Sequence, residues 1–283
     1  MSNLKEIRSR IASVSSTMKI TSAMKMVSAA KLKKAQDRMY GIRPYSTALD
    51  ETIQNLIPSV STSDIDLTKN FSDEEARLIV PISSNRGLCG AFNANVYKKA
   101  LGPKNRDQIE VYAIGKKSVE LFRRAGYKII GHNSDIIDNP NYDQSKKISN
   151  YIIEGFKLGK WSSVTVVCNL FKNAATQTVV KNQILPIYFE PNNLKGKDYI
   201  FEPDKKTIIN KLVPDQIHTK LFEFVLNSVA AEHGARMTAM HKATDNANEL
   251  KQNLTLSYNR QRQAAITNEI LEIVAGAEAL KGA

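Results

Sequence analysis

The sequence predicts an α/β protein in which a long helix at each end of the chain flanks a smaller domain containing a β-sheet. Three observations support this prediction. Residues 1–40 contain neither glycine nor proline, and the residues after Pro214 contain no proline and only three glycines. Between the two ends, apolar runs typical of buried strands alternate with helix-favouring stretches. Because a whole domain separates the two helices, we expect them to pair within one chain as a long antiparallel coiled coil.

The N-terminal helix, assigned to residues 1–57, has apolar residues at coiled-coil spacing. They follow one another in steps of three and four residues: Leu4, Ile7, Ile11, Val14 and Met18. Further apolar or small residues follow at Ile20, Ala23, Met24, Val27 and Ala30. We therefore expect the buried face to drift around the helix, as it does in a straight helix of 3.6 residues per turn. Gly41 and Pro44 are expected to break or bend this helix.

The central region, residues 75–190, is predicted to form a Rossmann-like α/β domain. Strand patterns occupy residues 77–83, 109–114, 127–130, 163–171 and 176–187. Helix patterns occupy residues 91–101, 116–125 and 143–158. This order favours a mainly parallel sheet with one antiparallel edge strand.

The C-terminal helix, assigned to residues 207–283, is rich in good helix formers. An unbroken helix from Pro214 onward would be on the order of 100 Å long. A domain of this size cannot bury such a helix along its whole length, so parts of it must pack against the N-terminal helix or a partner. Its apolar positions are Leu221, Val225, Val229, Leu250, Leu254, Ile266, Ile270, Ile273, Ala277 and Leu280.

The net charge of +12 favours an acidic partner, which could be nucleic acid, an anionic membrane or an acidic protein surface. Most of the basic side chains of the first helix are opposed only by Glu6 and Asp37. A solvated face is the usual meaning of such a run, and a face turned toward an acidic partner is the alternative. We find no apolar run long enough to span a membrane and no apolar signal-peptide region at the N-terminus, so a cytoplasmic location is expected.

Catalytic and metal-binding patterns are not found. The four histidines and two cysteines lack the spacing of metal ligands, so we expect no metal and no cofactor. The stretch Gly87-Leu-Cys-Gly90 follows a strand, where phosphate loops occur, but it lacks their glycine spacing and is equally typical of a tight turn. Cys89 is interpreted as a structural cysteine.

Two alternative functions remain open at this level. A basic coiled-coil protein could bind nucleic acid, but its coiled coil would be expected to be parallel and dimeric, and its affinity would depend steeply on salt. An α/β enzyme would require a polar constellation that the sequence does not offer, and the isolated chain would show turnover.

Three blocks of sequence resemble the gamma subunit of F-type ATP synthase. The first runs from Ile7 to Val27, and the second is Asn85-Arg-Gly-Leu-Cys-Gly-Ala-Phe-Asn93. The third comprises residues 235–247 and 259–277. Because they occur in family order from one end of the chain to the other, the resemblance covers essentially the whole sequence.

The resemblance implies a non-catalytic rotor shaft that couples proton-driven rotation of a membrane c ring to conformational change in the catalytic beta subunits. It implies as partners three alpha and three beta subunits, the epsilon subunit and the c ring, with no nucleic acid. It also implies a peripheral position on the cytoplasmic side of a bacterial inner membrane.

By the same resemblance, contacts with the beta subunits fall on Met24, Arg236, Gln263 and Thr267. A foot that touches the c ring falls on Tyr199, Phe201 and Glu202. We expect Arg236→Ala to weaken coupling more than folding, because a helix tolerates alanine.

Overall fold

The computed structural model describes residues 2–56, 66–69, 71, 76–101, 106–188, 201–202 and 204–281. The helices are α1 (Ser2–Leu56), α2 (Phe92–Ala100), α3 (Lys116–Arg124), α4 (Asp135–Asp138), α5 (Tyr142–Lys157) and α6 (Lys205–Lys281). The strands are β1 (Arg77–Pro81), β2 (Ile109–Ile114), β3 (Lys128–Asn133), β4 (Ser163–Phe171) and β5 (Gln177–Leu185). The chain forms two compact units. We call residues 1–27 with 237–283 the terminal unit, and residues 28–236 the sheet unit.

The sheet unit contains one five-stranded sheet in the order β3-β2-β1-β4-β5. β1 to β4 are parallel to one another, whereas β5 pairs antiparallel with β4 and forms one edge of the sheet. The predicted fold class is therefore confirmed. β1 lies at the centre, and its residues Leu78 and Val80 are fully buried. Apolar residues of α2 and α3, among them Val96 and Phe122, complete the core on the sheet.

Gly41 and Pro44 were predicted to break or bend the first helix, and the prediction of a break is wrong. α1 continues through both residues to Leu56. The helix residues Met39, Leu49 and Ile53, on both sides of Pro44, are buried in the sheet unit. Each buried side chain of this size stabilises by roughly 1.5–3 kcal/mol, and together they outweigh the ~3 kcal/mol that an internal proline costs.

The prediction that the buried face of α1 drifts is also wrong. Thr21 and Ser28 are buried at heptad positions that continue the steps of Leu4 to Met18, whereas Ile20 and Val27 are 60% and 56% exposed. The steps of three and four residues then continue through buried Leu32, Ala35 and Met39. Small polar side chains thus keep a strict seven-residue repeat where the apolar pattern alone suggested drift.

α6 begins at Lys205 and includes Pro214. Asp204 caps it, because its carboxylate accepts hydrogen bonds from the backbone N–H and the hydroxyl of Thr207 at 2.9 and 2.7 Å. Between residues 216 and 236 this helix is buried on nearly all sides. It contacts α1 through Ser46, which donates a 2.9 Å hydrogen bond to Glu223.

Candidate protein-interaction surfaces

In the terminal unit the two long helices run antiparallel. Thr21 Oγ1 and Thr244 Oγ1 lie 2.8 Å apart, and Lys25 Nζ lies 3.5 Å from His241 Nδ1. Residue numbers therefore rise along α1 as they fall along the facing part of α6. Each threonine hydroxyl also contacts a carbonyl of its own helix, Met18 O or Met240 O. Both hydroxyls therefore have polar partners, although they lie at seam positions that usually carry apolar side chains.

Burial along α6 follows the same register. The half-buried positions of α6 continue at intervals of three and four residues from Thr244 to Gln261. In this register Gln261 lies opposite Leu4, close to the first residue of α1. The pairing therefore ends near Gln261, although α6 continues to Lys281.

The next stretch of α6, residues 262–277, is exposed at every position. We call it the C-terminal segment. Its apolar side chains are Ile266, Ile270, Leu271, Ile273 and Val274, which are 48–66% exposed. At about 100° per residue they point to several sides of the helix. A cluster of exposed apolar side chains of this kind marks a surface that another protein covers.

Two predicted contact residues, Gln263 and Thr267, lie exposed in this C-terminal segment. They are four residues apart, so they share one helix face. Met24 is half-buried on α1, beside the seam position Lys25. Their contacts with beta subunits stay predictions.

Arg236 lies in a different environment from the other three predicted contact residues. It is only 8% exposed. Its Nη1 lies 2.5 Å from Glu232 Oε1, one helical turn earlier, and its Nη2 donates to the carbonyl oxygens of Arg86 and Gly87 at 3.0 and 3.2 Å. Burial raises the pKa of the Glu232 carboxyl, and the guanidinium of Arg236 opposes that rise. Within this chain, Arg236 ties α6 to a loop of the sheet unit.

We expected Arg236→Ala to weaken coupling more than folding, and these contacts indicate that the substitution also has a cost in folding. Helix propensity was the reason for that expectation, and it takes no account of tertiary partners. Removing the guanidinium would leave the Glu232 carboxyl buried without its cation and two carbonyls without their donor. The ion pair could have been predicted from the sequence, because Glu232 and Arg236 are four residues apart, a spacing that brings side chains together on a helix.

The loop contacted by Arg236 follows β1 and comprises residues 85–90. Asn85 accepts a hydrogen bond from the backbone of Lys116 and donates to Ser134 O and Asp138 Oδ2, at 2.8–3.0 Å. Asn93 bonds through both ends of its amide to Ser84 and donates to Cys89 Sγ at 3.3 Å. The asparagine side chains at both ends of the motif therefore fix the backbone of the loop.

The predicted foot is described only in part. Tyr199 lies outside the described residues. Phe201 precedes α6, and Lys205 Nζ lies 4.8 Å from the centroid of its ring. Glu202 is exposed. Their contact with a c ring stays a prediction.

The two cysteine thiols are poor nucleophiles. Burial raises the pKa of Cys89 and raises that of Cys168 to about 12, so both stay protonated at neutral pH. In the described part of the chain, no group of three or more His, Cys, Asp or Glu side chains could hold a metal ion. No helix of that part is both long and apolar enough to cross a membrane. The surfaces described above define a protein that works by contacting other proteins.

Comparison with known proteins gives the family. The model of a family described as ATP synthase matches residues 3–280. The ATP synthase gamma chains of Flavobacterium psychrophilum and Flavobacterium johnsoniae are 51% and 49% identical, with both chains covered completely. The chain belongs to the ATP synthase gamma chain family.

Solved structures agree with this assignment. One match is a chain in the central stalk and c-ring structure of Tetrahymena thermophila mitochondrial ATP synthase, which is 25% identical to this chain. The two superpose with a TM-score of 0.60, and the match covers 79% of this chain and 99% of the Tetrahymena chain. A chain in the OSCP/F1/c-ring structure of Euglena gracilis mitochondrial ATP synthase, 19% identical, matches with a TM-score of 0.67 over 99% of this chain and 95% of that one. The second likeness concerns the fold alone.

Proposed function

We propose that this chain is the central rotor subunit of an F-type ATP synthase. It is a non-catalytic subunit that couples rotation of the membrane c ring, driven by protons, to conformational change in the catalytic beta subunits. Beside family membership, the proposal rests on the exposure of the apolar side chains of the C-terminal segment. Its apolar side chains extend beyond the end of α1 and are suited to the inside of a ring of other subunits.

The chain acts on the catalytic sites through unequal contacts. An asymmetric helix pair touches three identical beta subunits differently, and it can bias each only by its difference in contact free energy between their states. Changing the ratio of two conformational states of one catalytic site from 1:99 to 99:1 requires about 5.5 kcal/mol. Charge-assisted hydrogen bonds contribute about 1.5–3 kcal/mol each. Two to four such contacts, together with packing, are enough to supply this free energy.

Within this proposal, Met24, Gln263 and Thr267 contact the beta subunits directly. Arg236 acts on coupling from inside the sheet unit, through the loop that it holds. Phe201 and Glu202, with Tyr199, belong to the foot on the c ring, and the epsilon subunit binds the sheet unit. The complex places the chain at the cytoplasmic side of a bacterial inner membrane as a peripheral subunit. No cofactor is required of the chain itself.

Purification of the tagged chain from its native membranes tests the proposal. We expect alpha, beta and epsilon subunits to copurify with ATPase activity, and the isolated chain to hydrolyse no ATP. Recovery of nucleic acid, or of none of these subunits, would contradict the proposal.

Reconstitution with purified alpha and beta subunits then tests the role of the C-terminal segment. The double variant Ile270→Lys/Ile273→Lys puts two charges on its apolar surface, so the complex should dissociate more readily on dilution. The matched control, Gln252→Lys/Asn253→Lys, adds the same charges at exposed positions of the paired part of α6. Equal stability of the two complexes would argue against insertion of the C-terminal segment into a ring.

A further inference from the structure

The edge of the sheet at which the parallel strands begin is strongly basic. Because β1 to β4 run in the same direction, α2, α3 and α5 all end at this edge, before β2, β3 and β4 respectively. The last turns of these helices and their connections to the strands supply exposed cationic side chains. We call the following set the basic edge: Lys98, Lys99, Arg106, Arg123, Arg124, Lys128, Lys157 and Lys160.

The charge of the basic edge is poorly neutralised within the described part of the chain. Lys128 Nζ lies 2.5 Å from Glu110 Oε1, and no other member of the basic edge forms an ion pair with a described residue. The only other carboxylates in the described parts of these helix ends and connections are those of Asp107 and Glu154. An excess of positive charge therefore faces outward at this edge.

Helix ends account for only part of this charge. A cation in the last turn of a helix interacts favourably with the helix dipole, which explains the basic residues that end α2, α3 and α5. Arg106, Lys128 and Lys160 lie outside these three helices, so the dipole gives no reason for them. At the opposite edge, where the strands end, acidic residues such as Asp135 and Asp138 lie among the basic ones. The excess of positive charge thus distinguishes one edge of the sheet from the other.

The basic edge lies at the same end of the sheet unit as the start of α6. The rings of Tyr142 on α5 and Phe222 on α6 are 5.6 Å apart. Further along α5, Ser149 Oγ lies 2.8 Å from His218 Nδ1. Residue numbers therefore fall along α6 as they rise along α5, and the end of α5 points toward Lys205, the first residue of α6. The predicted foot shortly precedes that residue.

We infer that the basic edge faces the membrane and binds the anionic headgroups of its lipids. The negative surface potential of such a membrane attracts Lys and Arg side chains within a Debye length, roughly 8 Å at physiological ionic strength. The cations come from three separate helix-to-strand connections and form a broad surface, which suits headgroups dispersed over a bilayer. The inference rests on the proposed function, because that function puts the membrane on the side of the foot.

The test uses a soluble complex of this chain with alpha, beta and epsilon subunits. The edge variant Lys98→Gln/Lys99→Gln/Arg123→Gln/Arg124→Gln removes four exposed charges and keeps good helix formers. Sedimentation with vesicles of phosphatidylcholine and phosphatidylglycerol measures lipid binding. The edge variant should bind at least about tenfold more weakly, since each Lys or Arg near an anionic surface contributes about fivefold. Binding of the unaltered complex should also be lost at high salt and with phosphatidylcholine alone.

The matched control is Lys116→Gln/Lys146→Gln/Lys147→Gln/Lys172→Gln. It removes four exposed charges from the side of the sheet unit where the strands end. Its complex should bind the anionic vesicles as tightly as the unaltered complex. Equal lipid binding by the edge variant and the control would overturn the inference, and so would equal binding of the unaltered complex to vesicles with and without phosphatidylglycerol.

Two further outcomes separate this inference from its alternatives. Tighter binding of the unaltered complex to duplex DNA than to the anionic vesicles, lost in the edge variant, would assign the basic edge to nucleic acid and overturn the inference. Failure of the unaltered chain to assemble with alpha, beta and epsilon subunits would instead overturn the proposed function, and this inference with it.

Discussion

The same helix, α6, meets two different environments in the two units. In the sheet unit, Leu221, Val225 and Ala230 are fully buried among the chain's own residues. In the C-terminal segment, Ile270 and Ile273 are more than half exposed although they are equally apolar. Apolar spacing on a helix thus predicts that a face will be covered, but it does not say whether the same chain or another one covers it. Variants in the two parts of the helix should therefore separate stability from assembly.

The largest effect is expected from Arg236→Ala. It leaves a buried carboxyl, Glu232, without its cation, which costs about 3–5 kcal/mol. The free energy of urea unfolding of the sheet unit, measured for the unaltered chain, Arg236→Ala and Arg236→Lys, gives this cost. An Arg236→Ala protein as stable as the unaltered chain would show that the buried pair contributes nothing.

The Arg236→Ala variant should also acquire a pH dependence. The folded-state pKa of Glu232 is already raised by burial, and the guanidinium opposes that rise. Without the guanidinium the pKa rises further, so the buried carboxyl favours its proton. A raised folded pKa gives stability that is fully present below the unfolded value and is lost as the pH increases through the folded value. The deficit of the variant should therefore be smaller at pH 5 than at pH 8, and a pH-independent deficit would contradict this account.

Leu221→Ala should cost about 3 kcal/mol, because it leaves a cavity in a fully buried site. Ile270→Ala, in the C-terminal segment, should change the stability of the isolated chain by less than about 0.5 kcal/mol. Denaturant titration of both variants compares the two regions directly. Similar losses in the two variants would mean that the C-terminal segment is already packed within the chain.

A smaller effect is expected in the seam of the terminal unit. Thr21→Val leaves the hydroxyl of Thr244 facing a methyl group, at a cost of about 1 kcal/mol. Thr21→Val/Thr244→Val replaces both hydroxyls with groups of the same shape and should recover most of that loss. A double-mutant cycle on thermal unfolding of the helix pair measures the coupling, and strictly additive effects would show that the two hydroxyls do not interact.

The sequence was sufficient for the fold class and for the succession of strands and helices along the chain, because these follow from local periodicity. It was insufficient wherever tertiary contacts outweigh a local preference. Pro44 is tolerated because buried side chains lie on both sides of it, and Thr21 is buried because a second hydroxyl faces it. The contacts of Arg236 with the loop carbonyls join residues about 150 positions apart, so no local pattern reports them. Leu88 has a φ of +61°, and this conformation leaves no trace in its own residue type, since leucine does not indicate a positive φ.

The strict heptad of α1 has a mechanical consequence. A seven-residue repeat kept over many turns requires the helices to wind around each other with a left-handed supercoil. Such a pair responds differently to the two directions of twist. Turning one end in one direction winds the supercoil more tightly and compresses the seam at Thr21 and Thr244. Turning it in the other direction opens the seam. The terminal unit is therefore expected to be a torsional spring whose stiffness differs between clockwise and anticlockwise twist.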